Sequence, residues 1–219
     1  VSGAAPRWRI VGGHALAGHV VPPADKSIAH RALFASAIAE GTSTVRPRPA
    51  GRDNHATRRV LSTLGVRIDD DGDGLVVHGV GTPRALRLPD LRAADGAAVL
   101  DCENSGTTMR VLAGLLAATP HTITLVGDAS LSRRPMARLR ALEPLGVVVR
   151  AAGGDPARLT PPIAITGAGD ALRGADVTLA IASAQVTTAL LLAGLHASGP
   201  VAVREPLVSR DHTERMWTA

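Results

Sequence analysis

The sequence predicts an α/β fold built from a repeated βαβαββ unit. Three observations carry this expectation. Three segments share one style, DKSIAHRALFASAIAEG, ENSGTTMRVLAGLLAAT and ASAQVTTALLLAGLHASG, and set Ser27, Ser105 and Ser183 at intervals of 78 residues. Each segment has the look of a helix start and runs into a short β-pattern: TSTVR at 42–46, HTITLV at 121–126 and PVAVR at 200–204. Behind the first two copies comes a second helical pattern, then LGV and a pair of β-patterned segments. Self-similarity at a fixed period marks a repeat architecture.

The second helices have their own punctuation. From Asp53 to Leu64, Val60, Leu61 and Leu64 supply the apolar face, and Gly65 supplies a stop. In copy two, Pro135 suits a helix start. Met136, Leu139, Leu142 and Leu145 follow at three-residue spacing, before Gly146. Copy three opens at Asp211 with Glu214 three residues on, a capping-box pattern. The strand pairs are VRID, turn DDGDG, LVVHG in copy one, and VVVR, a Gly-rich turn, PIAIT in copy two. Copy three shows no such pair before Ala219, so the sequence is expected to be part of a longer protein.

Composition excludes several classes of function. With 219 residues, 45% of them hydrophobic, the chain can bury a sizeable core and is not a disordered tail. Trp8, Phe34 and Trp217 are the only aromatic residues, too few for a stacking platform on single-stranded nucleic acid. Cys102 is alone, which rules out an internal disulfide and a Cys-rich zinc site and suits a reducing, cytoplasmic setting. There is no secretory-signal pattern and no apolar run long enough to span a membrane. The net charge of +5 is spread along the chain, without the dense patch that nucleic acid requires. It fits a cleft for small anions. Lys26 is the only lysine among 24 basic residues. An ammonium can give up its proton, whereas a guanidinium effectively cannot.

The candidate chemistry gathers at the helix starts. Lys26 and Ser27 open the first helix, and Arg31 lies one turn on along the same face. With free backbone N–H groups they can converge on an anion. Asn104, Ser105 and Gly106 open the second, where Gly106 permits close approach of a ligand. Ser183, Ala184 and Gln185 open the third. Arg133, Arg134 and Arg210 stand in adjoining loops. Each start by itself also fits an ordinary capped helix. Capping accounts for Asp211 and Glu214, so no metal site is expected. Cys102 has no paired His and fits a small buried thiol better than a nucleophile.

These residues resemble the 5-enolpyruvylshikimate-3-phosphate synthase (3-phosphoshikimate 1-carboxyvinyltransferase) family. The likeness lies in DKSIAHRAL, NSGTTMR, GDASLSRRPM, ASAQVTTALLLAGL and SRDHTERM, in that order over about residues 9–216. It implies an inside-out, barrel-like α/β domain of the enolpyruvyltransferase type, with helices inside and sheets outward. The implied activity is transfer of the enolpyruvyl group of phosphoenolpyruvate to the 5-hydroxyl of shikimate 3-phosphate, with no cofactor. By resemblance, Lys26, Ser27, Arg31, Ser183, Ala184, Gln185 and Arg210 contact shikimate 3-phosphate. Lys26, Asn104, Gly106, Arg134 and Gln185 contact phosphoenolpyruvate, and Lys26 is the candidate catalytic group. Residues 1–20 are expected to belong to a second domain, and 21–219 to the shikimate-phosphate-binding domain.

Three departures from the family stand out. The family chain is about twice as long, and its acidic acid/base residues lie in the other half. That half is therefore an expected partner, and the chain alone is expected only to bind substrate. Glu103 stands where the family usually has Gly, and would repel anions unless it turns away or pairs with an Arg. Ala24 replaces the usual Gly of PGDKS. Two other readings compete: a non-catalytic anion-binding module, and the related UDP-N-acetylglucosamine enolpyruvyltransferase, which needs a reactive loop cysteine.

Overall fold

In the computed structural model, which describes residues 7–13, 15, 17–90, 92–93, 96–153 and 155–218, the three repeats become three small sheets around buried helices. The first unit contains α1 (Lys26–Ile38), β1 (Thr42–Val45), α2 (Arg52–Thr63), β2 (Arg67–Asp71) and β3 (Gly74–His78). The second contains β4 (Ala98–Asp101), α3 (Gly106–Leu116), β5 (Thr122–Val126), a 3-10 helix (Ala137–Leu145), β6 (Val148–Ala151) and β7 (Ile163–Thr166). The third contains β8 (Ala175–Thr178), α4 (Ala184–Gly194), β9 (Val201–Arg204) and α5 (His212–Trp217).

Sheet order repeats along with the sequence. The second unit pairs its strands in the order β4-β5-β7-β6, the first two parallel and the rest antiparallel. The first unit has the same order without a leading strand, β1-β3-β2, and the third has the parallel pair β8-β9. Described residues before Lys26 form no strand, and Trp8, Ile10, Val11 and Val20 are exposed there. The expectation of a second domain at 1–20 lies partly outside the described residues.

The helices form the interior. Every residue of α3 except Arg110 is buried. Its apolar side chains, with Leu33, Phe34 and Leu190, pack in one core of Leu, Val, Ile, Ala and Met. α3 and α4 touch backbone to backbone: a Cβ on Gly114 would come within 2.2 Å of the Ala189 carbonyl oxygen. Only glycine allows that approach. Among the described residues, no helix is long and apolar enough to cross a membrane.

Two sequence expectations change. The segment after Pro135 is a nine-residue 3-10 helix, not an α-helix. At three residues per turn, Met136, Leu139, Leu142 and Leu145 fall in one row, and all four are fully buried. Pro144 inside it also lacks the N–H that an α-helix would use. The expected capping box at Asp211 is absent, since its side chain accepts no capping bond. The glycine stops are as expected: Gly65 and Gly146 adopt left-handed φ of 89° and 99°.

Candidate functional site

The three central helices bring their N-termini together, though not through equivalent serines. Ser105 and Ser183 are N-caps, accepting from the N–H groups of Thr108 and Val186. In α1 the cap is Asp25, whose carboxylate accepts from Ile28 N–H at 2.8 Å. Ser27 is thus already inside the helix. That hydrogen bond is the largest of several influences holding the Asp25 carboxyl below its ordinary value, with Arg210 and His212 adding to it.

Lys26 is held at both ends by α2. Its ammonium donates to Asp53 at 2.7 Å, and its carbonyl accepts from the Asn54 amide at 3.0 Å. Arg31, expected to offer its fork to an anion, is instead 2% exposed. Its Nε donates to the Thr213 hydroxyl, and its two terminal nitrogens donate to the carbonyls of Ser27 and Ala184. Burial lowers its pKa. In this arrangement it locks the first helix start to the third, and a ligand can reach only the donors left over.

The third start lines an open cleft of about 580 Å³ whose walls come from two segments, residues 182–185 and 208–210. Helix geometry leaves its first N–H groups without intrahelical partners, so they can serve an anion. Gln185 points to α3: its amide donates to Thr107 Oγ1 at 2.8 Å and its carbonyl accepts from Arg110 at 2.9 Å. Around the second start, Arg134 donates to the Asn104 carbonyl and side-chain oxygens at 3.2 and 2.7 Å, and Asn104 donates to Asp128 at 2.6 Å. Guanidinium nitrogens of Arg110 and Arg134 lie 3.0 and 3.6 Å from where a Gly106 Cβ would sit. Two cations therefore flank bare backbone at the α3 N-terminus.

Beneath these groups runs a buried polar column. His30 Nδ1 meets Thr57 Oγ1, Thr57 meets Thr108 Oγ1, and Thr108 donates to Ser105 Oγ, each at 2.7 Å. Since Thr108 donates its one proton onward, Thr57 donates to Thr108 and His30 donates from Nδ1. Nε2 is left as a buried acceptor with no partner among the described residues. Burial pushes the His30 pKa down to about 4, and the Lys26 and Arg31 charges add to this while Asp53 opposes it. A parallel link uses Arg31, Thr213 and Thr188, whose hydroxyl reaches the Ala184 carbonyl.

A family model described as EPSP synthase (3-phosphoshikimate 1-carboxyvinyltransferase) matches residues 10–219. The chain belongs to the EPSP synthase family. The 3-phosphoshikimate 1-carboxyvinyltransferase of Halorhodospira halophila is 48% identical over 211 residues, covering 95% of this chain and 45% of that protein. That of Xanthomonas axonopodis pv. citri is 42% identical over 221 residues, covering 100% and 47%. The solved EPSP synthase of Acinetobacter baumannii superposes with a TM-score of 0.80 at 41% identity, covering 91% and 42%. The chain thus spans less than half the length of these relatives. The enolpyruvyltransferase fold expected from the sequence is the fold observed.

The family's glycine at position 103 now has a structural reason. Glu103 sits at φ 52°, in the left-handed region that glycine enters freely. Its carboxylate lies 3.0 Å from Arg59, so it is paired with a cation from α2. Cys102 is fully buried, and burial pushes its thiol pKa up. It is not the reactive loop cysteine that the UDP-N-acetylglucosamine reading needs.

All ten predicted residues lie on the three helix starts and their adjoining loops. Sequence reasoning passed over Asp53 as a binding partner, and likewise Arg110, Thr107, Glu205 and the threonines of the buried links. A signal existed for Thr57 and Thr213, which are 156 residues apart, twice the repeat. Asp53 had none, because its pairing to Lys26 spans 27 residues between two helices.

Proposed function

We propose that this chain forms the shikimate-3-phosphate-binding part of an enolpyruvyltransferase and supplies part of its phosphoenolpyruvate pocket. The observation that carries the reading is a hydrogen-bonded belt around the helix starts. It passes from Lys26 to Asp53, and from Ser27 through Arg31 to Ala184 and on through Gln185 to Arg110 beside Gly106. Residues 21–219 are the substrate-binding domain, and residues 1–20 belong to the opposing one. Its partner is the remaining half of the family's chain, and the setting is cytoplasmic.

In this reading, Ser27, Ser183, Ala184, Gln185 and Arg210 bind the phosphorylated ring, with Arg31 setting Ser27 and Ala184. Asn104, Gly106, Arg134 and Gln185 face phosphoenolpyruvate, and Lys26 faces both substrates. The 5-hydroxyl adds to C2 of phosphoenolpyruvate, losing its proton, while C3 gains one. The tetrahedral intermediate then loses phosphate and a C3 proton. Lys26, able to release a proton where the neighbouring arginines cannot, takes part in these transfers. The arginines balance the phosphate and carboxylate charges.

Calorimetry on the chain tests this. Shikimate 3-phosphate should bind, weakly because the site is open to water, and Ser183→Ala with Arg210→Ala should abolish the heat. No phosphate should be released when phosphoenolpyruvate is added, because the acid/base carboxylates expected from the family lie beyond this chain. Absence of binding to the unaltered chain would overturn the site assignment. Steady phosphate release would mean that this chain holds a complete site.

A further inference from the structure

We propose that Glu205 is the positioning residue of the cleft, a carboxylate clamp that fixes both walls while leaving Arg210 free for an anion. The inference rests on the substrate reading only for the identity of that anion.

Glu205 directly follows β9 and stands between the two walls. Its Oε1 accepts from the Ser183 N–H at 2.8 Å and the Thr187 hydroxyl at 2.9 Å. Its Oε2 accepts from the Ser209 hydroxyl at 2.6 Å and the Ser209 N–H at 3.3 Å. Two donors on each oxygen occupy the carboxylate's accepting positions. Ser183 and Ser209 belong to the two segments that line the cleft, so this one side chain fixes the spacing between them.

Ala184 and Gln185 are also tied to Arg31, Arg110 and Thr107, but among the described residues no other side chain accepts from the Ser183 N–H, and Ser209 bonds to no other side chain. The Ser183 hydroxyl makes only a long 3.5 Å bond to Val186 N–H. The loop before Ser209 has no apolar hold on the core, since Leu207 and Val208 are 76% and 99% exposed. Burial by itself would raise the Glu205 pKa, but the donated hydrogen bonds outweigh it and the pKa is lowered, so the clamp is ionised at neutral pH.

The donors matter as much as the carboxylate. All four are uncharged, so Glu205 needs no arginine to satisfy it. Among the described residues, Arg210 makes no ion pair and lies exposed in the cleft lining. A carboxylate beside an anion site would normally capture or repel charge there. Saturation with neutral donors lets Glu205 hold Arg210's loop without consuming Arg210's charge.

The test compares Glu205→Leu, which keeps the bulk, with Glu205→Gln. The glutamine carbonyl can still accept from Ser183 and Thr187, and its amide can donate to the Ser209 hydroxyl. Amide hydrogen exchange on the unliganded chain and calorimetry with shikimate 3-phosphate are the readouts. The leucine variant should speed exchange at both 182–187 and 206–211 and weaken binding about tenfold or more, the scale of hydrogen bonds to a charged group. The glutamine variant should restore most of both. The clamp is overturned if leucine leaves exchange unchanged, if only one wall loosens, or if glutamine and leucine are equally impaired. If the unaltered chain binds no shikimate 3-phosphate, the substrate reading fails, while the exchange data still decide the clamp.

Discussion

Acidification isolates the buried His30 column. His30 is fully buried, its Nδ1 is committed to Thr57, and its Nε2 has no partner among the described residues. A second proton would place an unpaired N–H⁺ near Lys26 and Arg31, which is why burial and these cations push its pKa down to about 4 from 6.5. Above pH 6.5 the ring is neutral in both folded and unfolded chains, and the stability is fully present. As pH falls below 6.5 the unfolded chain takes up a proton that the folded chain refuses until about 4, so stability is lost across that window. At about 1.4 kcal/mol per pH unit, the loss from this group approaches about 2.5 kcal/mol at pH 4.5. His30→Gln keeps a donor toward Thr57 and removes the titration. Urea unfolding of both proteins at pH 7.5, 5.5 and 4.5 gives the comparison, since carboxylates and other histidines titrate alike in each. The unaltered protein should lose about 2–3 kcal/mol more than the variant between the outer pH values. Parallel pH dependence in the two proteins would refute the buried neutral histidine.

Two further outcomes follow from the site. Lys26→Arg keeps the charge and a pairing with Asp53, so shikimate 3-phosphate affinity should stay within about tenfold, while turnover by the complete enzyme falls at least about 100-fold, the scale of general acid–base catalysis; near-normal turnover would remove Lys26 from proton transfer. Glu103→Gly relieves a left-handed backbone worth about 1 kcal/mol, partly offset by glycine's extra freedom when unfolded, so the melting temperature should hold or rise. Because Arg59 already neutralises Glu103, phosphoenolpyruvate affinity should change less than about threefold, within the small worth of a partly exposed pair, and a large tightening on titration would show that the carboxylate reaches the ligand.

Much of the fold was legible because its information is local and repeated. The 78-residue period placed α1, α3 and α4, the β-patterns placed β1, β5 and β9, and Gly65 and Gly146 marked the stops. The three-residue apolar row from Met136 to Leu145 was visible too, but it signified a 3-10 helix, since a spacing of three alone does not separate that geometry from an α-helix until Pro144 and the packing are weighed. The Asp25 cap displaced the expected equivalence of Ser27 with Ser105 and Ser183, because a carboxylate two residues earlier took the capping bond.

The sequence by itself determined which groups stand at the helix starts. Lys26, Asn104, Gly106, Ser183 and Gln185 are there because a periodic apolar pattern begins beside each of them. Tertiary structure decided what those groups do. It buried Arg31 and turned its fork inward on Ser27, Ala184 and Thr213, up to 182 residues away. It paired Lys26 with Asp53, closed Gln185 onto Arg110, and set Glu205 between two walls. A side chain's partners depend on which helices cross and at what distance. Here the approach of α3 to α4 at Gly114 fixes that distance, and the local pattern of residues does not encode the resulting pairs.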